Sequence, residues 1–346
     1  MNESSIHGNV KWQSPSNIAI VKYWGKRPGM NQIPQNPSVS FTLSQCSTET
    51  AIAYEASDRF ALQFRFDGKE NPEFQTKIAE FLKKQMPLFP FLNEMDLHIN
   101  SHNTFPHSSG IASSASSMSA LVLCLLDIER ELQGKDTIDM QKASFLSRLA
   151  SGSACRSVYP GMALWGTTTA FQGSSDEYAV SLENEIHPIF KSYHDSILIV
   201  SDAKKEVSSR AGHALMDTNP YAEMRYATAR DNVAKLLPVL KAGDLETFCQ
   251  ITESEAMQLH ALMMCSQPSF ILMKPNTLRI INTLFAFRRE TDIPVCFTLD
   301  AGPNVHILYP DQDAELVERF IMDELECYCV DGKWIADHVG EGPSRC

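Results

Sequence analysis

The sequence lacks several features that mark common classes of protein. No apolar run reaches the roughly 18 residues that a membrane-spanning helix needs. No C-x-x-C pair occurs, which argues against a zinc knuckle or a disulfide framework, and we expect the nine cysteines to be reduced thiols. The nucleotide-binding patterns G-x-x-x-x-G-K-[ST] and G-x-G-x-x-G are also missing.

Positive charge is scarce as well. Lysine and arginine number 30 against 42 acidic residues, which gives a net charge of −12 and argues against a broad basic face for nucleic acid. Any bound anion must therefore be held by a few basic residues gathered in one place. The N-terminus shows no apolar signal segment, so we expect a cytoplasmic protein without a membrane partner.

The order of predicted elements indicates an α+β protein, because strands and helices mix without regular βαβ alternation. The 346 residues suffice for two domains, which we place at 1–190 and 191–346 with a boundary near 185–195. Hydrophobic patterning predicts strands at 17–24, 38–44, 50–56, 59–70, 96–103, 161–173, 196–202, 293–300 and 304–310. It predicts helices at 72–89, 113–132, 208–218, 221–243, 244–265, 275–290 and 313–325, and at 141–157 a helix running into a small-residue loop.

A serine-rich stretch, "NTFPHSSGIASSASSMSALV", has the parts of a phosphate cradle. Pro106 sets a turn, Gly110 lets the backbone approach a ligand, and Ser113 or Ser114 can cap the following helix. A helix N-terminus also offers free N–H groups and the positive end of its dipole. A tightly packed small-residue helix start explains the stretch equally well. No lysine or arginine occurs in it, so the neutralising cations must come from elsewhere.

Three other segments carry the missing cations. "NIAIVKYWGKR" places Lys22 and Lys26 around an aromatic pair at a strand end. "SGSACRSVYPG" and "VSSRAG" each set an arginine, Arg156 and Arg210, among small residues, and arginine binds carboxylate or phosphate bidentately. Taken singly, the first segment could be an amphipathic strand end with solvated lysines, and the second is better explained as a helix C-terminus with an exposed arginine.

A fifth segment, "TLDAGPNVHIL", supplies a carboxylate. Asp300 follows a predicted strand, and the Gly302-Pro303 turn holds it at the strand tip, a common place for catalytic groups. A simple turn is the alternative for this segment alone. Taken together, the five segments favour an anion-binding catalytic cleft.

These segments, in this order, resemble the diphosphomevalonate decarboxylases of the GHMP kinase superfamily. "KYWGKR", "FPHSSGIASSAS", "SGSACRS", "VSSRAG" and "DAGPNVH" match family motifs across residues 17 to about 306. The resemblance implies a ribosomal protein S5 domain 2-like N-terminal domain, a GHMP C-terminal α+β domain and an active site between them. It also implies a reaction in which ATP phosphorylates the tertiary 3-hydroxyl of (R)-5-diphosphomevalonate. Loss of phosphate and CO₂ then gives isopentenyl diphosphate.

The resemblance also assigns roles to residues. Asp300 would be the base or positioning group for the hydroxyl, Lys22 its partner, and Arg156 the ligand of the substrate carboxylate. Substrate contacts would come from Tyr23, Trp24, Gly25, Lys26, Ser151, Gly152, Ser153, Ala154, Cys155, Arg156, Ser209 and Arg210. ATP would be held by Pro106, Ser109, Gly110, Ala112, Ser113 and Ser114, and Ser114 is also a possible ligand of Mg²⁺. The resemblance further implies a homodimer.

Some positions depart from the family pattern. His107 stands in the serine-rich loop where relatives carry small residues, and His213 follows "SSRAG" where methionine is common. Arg210 occupies a position where some relatives have threonine. One alternative is a superfamily kinase of the mevalonate 3-kinase type, or a decarboxylase of a 5-monophosphate. A silent binding protein is the other, although the retained Asp300 argues against it.

Overall fold

Two β-sheets flanked by helices make up residues 6–106, 111–203 and 209–346, which the computed structural model describes. The strands of these residues are β1 (His7–Val21), β2 (Ser38–Ala56), β3 (Ala61–Phe66), β4 (Lys69–Glu70), β5 (Met95–Asn103), β6 (Met162–Trp165), β7 (Ala179–Ser181), β8 (His194–Leu198), β9 (Cys296–Thr298), β10 (Val305–Tyr309), β11 (Trp334–His338) and β12 (Ser344–Arg345). The α-helices are α1 (Pro72–Gln85), α2 (Ser113–Gln133), α3 (Met140–Ala150), α4 (Ser209–Ala214), α5 (Ala222–Ala242), α6 (Leu245–Met264), α7 (Pro275–Thr291) and α8 (Ala314–Phe320). This mixture confirms the predicted α+β class.

The first sheet has eight strands in the order β12-β1-β2-β5-β3-β4, with β6 also paired to β2 and β7 to β6. All its neighbours are antiparallel except β3 and β5. Strands β1 and β2 form a long hairpin, and bulges in their register bend it near Pro15–Asn17 and Ala19–Val21. The bend lies just before the predicted site segment that begins at Lys22.

Helix α2 packs on this sheet through small side chains. The Ser119 hydroxyl lies 2.6 Å from that of Ser14 on β1, and the Ser116 hydroxyl 2.6 Å from that of Thr48 on β2. Its second half, residues 120–128, is buried throughout, which confirms the burial predicted from the apolar pattern. No helix of the described residues is both long and apolar enough to cross a bilayer.

The second sheet has four antiparallel strands in the order β11-β8-β10-β9. Leu198, Phe297 and Ile307 from three of its strands are fully buried and pack with Ile280 and Leu284 of α7. Helix α6 packs on β9 and also contacts β1 of the first sheet. It therefore ties the two halves of the chain together beside the end of β1.

Several predicted elements differ from those observed. Strand β1 begins ten residues earlier than predicted and ends before Lys22, and the strands predicted at 38–44 and 50–56 are parts of one strand, β2. The strand predicted at 161–173 ends at Trp165, because Gly166 takes a φ of +105° and leaves the extended conformation.

Two predicted helices are also shorter than expected. The helix predicted at 208–218 is α4 followed by a 3₁₀ turn, Leu215–Thr218, and the one predicted at 313–325 gives way to a π turn, Ile321–Leu325, after α8. Strands β7, β11 and β12 were not predicted, because their segments, 179–181, 334–338 and 344–345, are too short to show a strand pattern.

The C-terminal segment returns to the first sheet. In β12, Arg345 pairs with Trp12 of β1, and its Nε lies 2.8 Å from the buried carboxylate of Asp127. The Trp12 indole N–H and the Arg130 guanidinium donate to the same carboxylate at 3.0 and 2.7 Å. The change from the first sheet to the second falls between β7 and β8, and the domain boundary near 185–195 stays a prediction.

Candidate active site

A cleft of about 550 Å³ lies where the end of β1, the start of α2, the loop after α3 and the turn after β9 meet. It brings together residues from four of the five predicted segments, including Asp300 and Ala301 from the turn after β9 of the second sheet. The predicted residues that line it are Lys22, Tyr23, Trp24, Lys26, Ala112, Ser114, Ser151, Gly152, Ser153, Arg156 and Asp300.

Lys22 and Asp300 form an ion pair across the two sheets. Lys22 follows β1 directly, Asp300 follows β9, and the Nζ–Oδ1 distance is 3.3 Å. The lysine side chain is 2% exposed, whereas that of Asp300 is 22% exposed. Burial lowers the pKa of Lys22, although the carboxylate beside it acts in the opposite direction. The more accessible member of the pair is therefore the carboxylate, which can reach a bound hydroxyl.

Arg156 is a buried cation with neutral partners. Its guanidinium donates to the Ser38 hydroxyl and, at 3.2 and 3.4 Å, to the amide oxygen of Asn17. Among the described residues, no carboxylate lies within salt-bridge distance of it. Burial lowers its pKa, since the charged form is poorly solvated. A buried guanidinium without an ionic partner favours a ligand that carries negative charge.

Asn17 lines the cleft and was not predicted from the sequence. Its side chain accepts from Arg156 and donates to the Ser157 hydroxyl at 2.7 Å and the Ser153 carbonyl at 3.2 Å. These contacts orient the amide so that its oxygen faces the guanidinium. A single asparagine in a strand pattern gave no signal, because its partners come from a segment about 140 residues away.

Tyr23 forms part of the cleft wall. Its ring centroid lies 4.6 Å from that of Trp165, and its buried hydroxyl has no hydrogen-bond partner among the residues that the structure describes. A Cβ at Gly152 would come within 2.7 Å of that hydroxyl, so glycine is needed for the loop to approach the ring. The unpartnered hydroxyl at the cleft is available to a bound ligand.

His213 fixes the next two predicted residues in place. Its ring stacks on Trp24 with centroids 4.5 Å apart, and its Nδ1 accepts the Gly25 N–H at 3.0 Å. Because Nδ1 is an acceptor here, the proton of the neutral ring is on Nε2. Burial, followed by the charge of Lys26, lowers the pKa of His213 to about 3. His213, which stands where methionine is common in the family pattern, thus places a neutral imidazole in the cleft wall.

The loop after α3 contributes both surface and support. Ser151, Gly152 and Ser153 line the cleft, and the Ser151 hydroxyl lies 3.4 Å from that of Ser114. Ala154 and Cys155 are fully buried and lie behind the cleft surface. Burial raises the pKa of the Cys155 thiol to about 12, so it is an unreactive packing group.

The start of α2 faces the cleft through Ala112 and Ser114. The expected serine cap is wrong: the cap position is Ala112, whose φ of +40° turns the chain into the helix without a side-chain hydrogen bond. Ser113 is the first helical residue. Ala112 at the cap position therefore gives the first N–H groups of α2 no side-chain hydrogen bond, which suits an anion-binding helix start.

Some predicted residues cannot be placed. Ser109 and Gly110 lie outside the described residues, and so does His107. The same applies to the side chains of Ser209 and Arg210, although both belong to α4. Pro106 precedes the undescribed part of the serine-rich loop and is not among the described cleft-lining residues.

The site fits magnesium only together with phosphate oxygens. Mg²⁺ prefers hard oxygen ligands, and Ser114 supplies a hydroxyl at the uncapped helix start. Among the described residues, the group of three close metal-ligating side chains is Glu55, Asp96 and His98, and none of them lines the cleft. The donors at the cleft therefore suit a nucleotide-bound ion.

Helix α1 closes another side of the cleft with residues that the sequence did not indicate. Lys77, Glu80 and Lys84 line it along with Phe81. Their pattern is that of an ordinary amphipathic helix with a solvated charged face, so no local signal marks them. They add two cations to a cleft in an otherwise acidic protein.

Comparison with known families shows which family the chain belongs to. The model of the diphosphomevalonate decarboxylase-like N-terminal domain matches residues 14–179, and that of the mevalonate 5-diphosphate decarboxylase C-terminal domain matches residues 196–340. The chain is a member of the diphosphomevalonate decarboxylase family. One relative in this family, the diphosphomevalonate decarboxylase of Candida albicans, is 31% identical over 318 residues, which cover 88% of this chain and 85% of the relative.

Solved structures of diphosphomevalonate decarboxylases share the fold. Mevalonate diphosphate decarboxylase from Staphylococcus aureus superimposes with a TM-score of 0.86 at 26% identity, covering 99% of this chain and 98% of that one. A second structure, described as MDDEF in complex with MVAPP, AMPPCP and magnesium, has a TM-score of 0.82 at 26% identity and covers 99% of both chains. The GHMP kinase fold implied by the motifs is thereby confirmed.

Proposed function

We propose that this protein catalyses the ATP-dependent decarboxylation of (R)-5-diphosphomevalonate to isopentenyl diphosphate, ADP, phosphate and CO₂. The observation that carries the proposal is the placement in one cleft of the Lys22–Asp300 pair and of Arg156, which has no ionic partner among the described residues. The family membership of the chain and the nucleotide analogue and magnesium in the related complex support it.

The first step is phosphoryl transfer to a tertiary hydroxyl. The Asp300 carboxylate orients the 3-hydroxyl and accepts its proton as the hydroxyl oxygen attacks the γ-phosphorus of ATP. Lys22, 3.3 Å from this carboxylate, stabilises its charge and that of the transferring phosphoryl group. The bond between the γ-phosphorus and the bridging oxygen of ADP breaks as the new bond forms.

The second step removes phosphate and CO₂ from the 3-phosphorylated intermediate. The C3–O bond breaks and phosphate leaves with the bonding electrons, which makes C3 electron-deficient. The C1–C2 bond then releases CO₂, and its electrons form the C2=C3 double bond. Arg156, held by Asn17 and Ser38, binds the carboxylate and fixes its orientation until the bond breaks.

The nucleotide is placed at the start of α2. Ala112, Ser113 and Ser114 present backbone N–H groups of the uncapped helix start to the phosphates, and Ser109, Gly110 and Pro106 complete the loop in this proposal. When bound, Mg²⁺ supplies positive charge to the phosphate oxygens. The Ser114 hydroxyl, which lines the cleft, is the protein group best placed to hold it.

The remaining predicted contacts hold the substrate's diphosphate and carbon skeleton. Tyr23 offers an unpartnered hydroxyl at the cleft, and Lys26, Ser151 and Ser153 line the same wall. Ser209 and Arg210, which belong to α4, are further substrate contacts in this proposal. Trp24, Gly25, Gly152, Ala154 and Cys155 shape the wall behind these contacts.

The test compares three substrates with ATP in the purified protein: mevalonate, its 5-phosphate and its 5-diphosphate. CO₂ release and isopentenyl diphosphate formation are expected with the diphosphate and at a much lower rate with the monophosphate. A phosphorylated product without CO₂ would identify a kinase and contradict the proposal. Preferred turnover of the monophosphate would assign a different decarboxylase substrate.

We also propose a cytoplasmic homodimer. All nine cysteines are free thiols, as expected in a reducing compartment. Tyr221 just before α5, Met224 of α5, and Met257 and Met264 of α6 have exposed apolar side chains that suit a contact between two copies. Light scattering in solution is expected to give twice the chain mass, and a single-chain mass would contradict the dimer.

A further inference from the structure

Helix α6 hydrogen-bonds to the main chain at both members of the Lys22–Asp300 pair. Its Glu255 is fully buried, and the Oε2 of Glu255 accepts the backbone N–H of Lys22 at 2.9 Å. About one and a half turns further along, His260 is also buried, and its Nε2 lies 3.1 Å from the carbonyl oxygen of Asp300. One rigid element thus contacts two segments that belong to different sheets.

The Glu255 contact is anchored from α5. Arg225 donates to both oxygens of the Glu255 carboxylate, at 2.8 Å to Oε1 and by a shorter bond to Oε2, and Asn232 donates to Oε1 at 2.6 Å. The carboxylate is therefore neutralised and held by several donors. This arrangement leaves it little freedom to move, so the N–H of Lys22 meets a fixed acceptor.

The His260 contact has a defined direction. A carbonyl oxygen only accepts, so Nε2 of His260 carries the proton and donates it to Asp300. Burial lowers the pKa of His260 to about 4, and the ring is neutral near pH 7. The same carbonyl accepts the Gly302 N–H at 2.7 Å, which fixes the turn after β9 from the other side.

We propose that Glu255 and His260 are positioning residues that set the separation and orientation of Lys22 and Asp300 through their main chains. Neither residue lines the cleft, so neither contacts a substrate bound there. The inference rests on the proposed roles of Lys22 and Asp300 in phosphoryl transfer. It extends those roles to two residues of α6 that meet Lys22 and Asp300 through main-chain hydrogen bonds.

The His260 arm of the test uses two substitutions and a matched control. H260L removes the donor, whereas H260Q keeps an N–H near the position of Nε2. T252V removes the hydrogen bond from the Thr252 hydroxyl to the Phe248 carbonyl, which lies within the same helix. We expect H260L to lower kcat about tenfold with the KM values for ATP and diphosphomevalonate within about twofold, because small misplacements act on the chemical step. H260Q should recover most of kcat, and T252V should leave it unchanged.

The Glu255 arm uses paired substitutions so that no buried charge is left alone. E255Q/R225Q removes both charges but keeps an oxygen that accepts the Lys22 N–H, while E255M/R225M removes the acceptor at similar volume. We expect kcat of the methionine pair to fall at least about tenfold below that of the glutamine pair at equal folded fraction. Crystal structures of the variants are expected to show the Lys22 Nζ to Asp300 Oδ1 distance lengthened by about 0.5 Å or more in H260L and E255M/R225M alone.

Two results separate failure of this inference from failure of the proposed function. Equal kcat in H260L, H260Q and T252V, with D300N inactive, would overturn the positioning role and leave the reaction in place. Full activity of D300N would overturn the role of Asp300 itself, and the positioning role with it. A kcat loss in H260L that the glutamine variant restores, together with a displaced pair, is the result we expect.

Discussion

Two buried arginines of this protein have different kinds of partner. Arg225 donates to the carboxylate of Glu255, whereas Arg156 donates, within the described part of the chain, to the neutral oxygens of Ser38 and Asn17. Both side chains are almost completely buried. The charge of Arg225 is therefore compensated within the fold, whereas the charge of Arg156 remains available to a ligand.

The same contrast extends to the rest of the cleft. Arg225 and Glu255 neutralise each other outside the cleft lining, and Glu255 meets Lys22 through its main-chain N–H, so their role is mechanical. Arg156, by contrast, has its full charge directed at the cleft, and Asp300 is the nearby carboxylate that stays partly accessible. Substitutions at these residues should therefore differ in the size of their effects on activity and stability.

The largest effect is expected for Asp300→Asn. The amide can accept a hydrogen bond but cannot take the hydroxyl proton, so kcat should fall about 10³- to 10⁴-fold. Nucleotide affinity, measured by calorimetry with a non-hydrolysable ATP analogue, should remain nearly unchanged. Retained turnover would show that Asp300 is not the base or positioning group.

The next effect concerns stability. Arg225→Met leaves the buried Glu255 carboxylate without its ionic partner, and the free energy of unfolding should fall by about 3–5 kcal/mol. Arg156→Gln should change it by less than about 1 kcal/mol, because the guanidinium has no ionic partner to lose. Urea titrations of both variants measure the difference, and equal losses would contradict the contrast between the two arginines.

Arg156→Gln should have a large effect on catalytic activity, although its effect on stability is small. Arg156→Gln removes the charge that holds the substrate carboxylate, so kcat/KM for diphosphomevalonate should fall about 100-fold, which corresponds to about 3 kcal/mol. The control is Arg148→Gln, since Arg148 is equally buried but donates to the carboxylate of Glu177 at 2.6 Å. A comparable loss of kcat/KM in both variants at equal folded fraction would count against a specific role for Arg156.

The smallest effect is a dependence of stability on pH. The pKa values of His213 and His260 are lowered to about 3 and about 4, so the folded state binds these protons less readily than the unfolded state. Their contribution is complete above about pH 6.5 and is lost as the pH falls, by about 1 kcal/mol per histidine at pH 5.5. His213→Asn and His260→Gln should each reduce the slope of unfolding free energy against pH between 6.5 and 5, and an unchanged slope would contradict the assignment.

The site segments could be predicted because each is a short local pattern. The strand ends at Lys22 and Asp300 and the small-residue loop at Arg156 were visible in the sequence, and the resemblance placed them in one cleft. Helix α2 was also visible, since its apolar half is buried all round. Its cap was not, because a left-handed Ala112 has no sequence signature.

Residues that act through distant partners could not be predicted. Asn17 meets Arg156 across about 140 positions, and Glu255 meets Lys22 across 233. Each of these residues sits in an ordinary strand or helix pattern, so only the tertiary arrangement shows its role. Strand β12 was missed for the same reason, since two residues that pair with β1 carry no periodicity.

The position of β12 has a consequence for synthesis on the ribosome. The first sheet takes its outer strand from Ser344–Arg345, which are made after all of the second sheet. Until then, the carboxylate of Asp127 lacks the Arg345 guanidinium that lies 2.8 Å away. A nascent chain therefore holds a first sheet without β12, and an Asp127 carboxylate without Arg345, until the whole of the second sheet has been made.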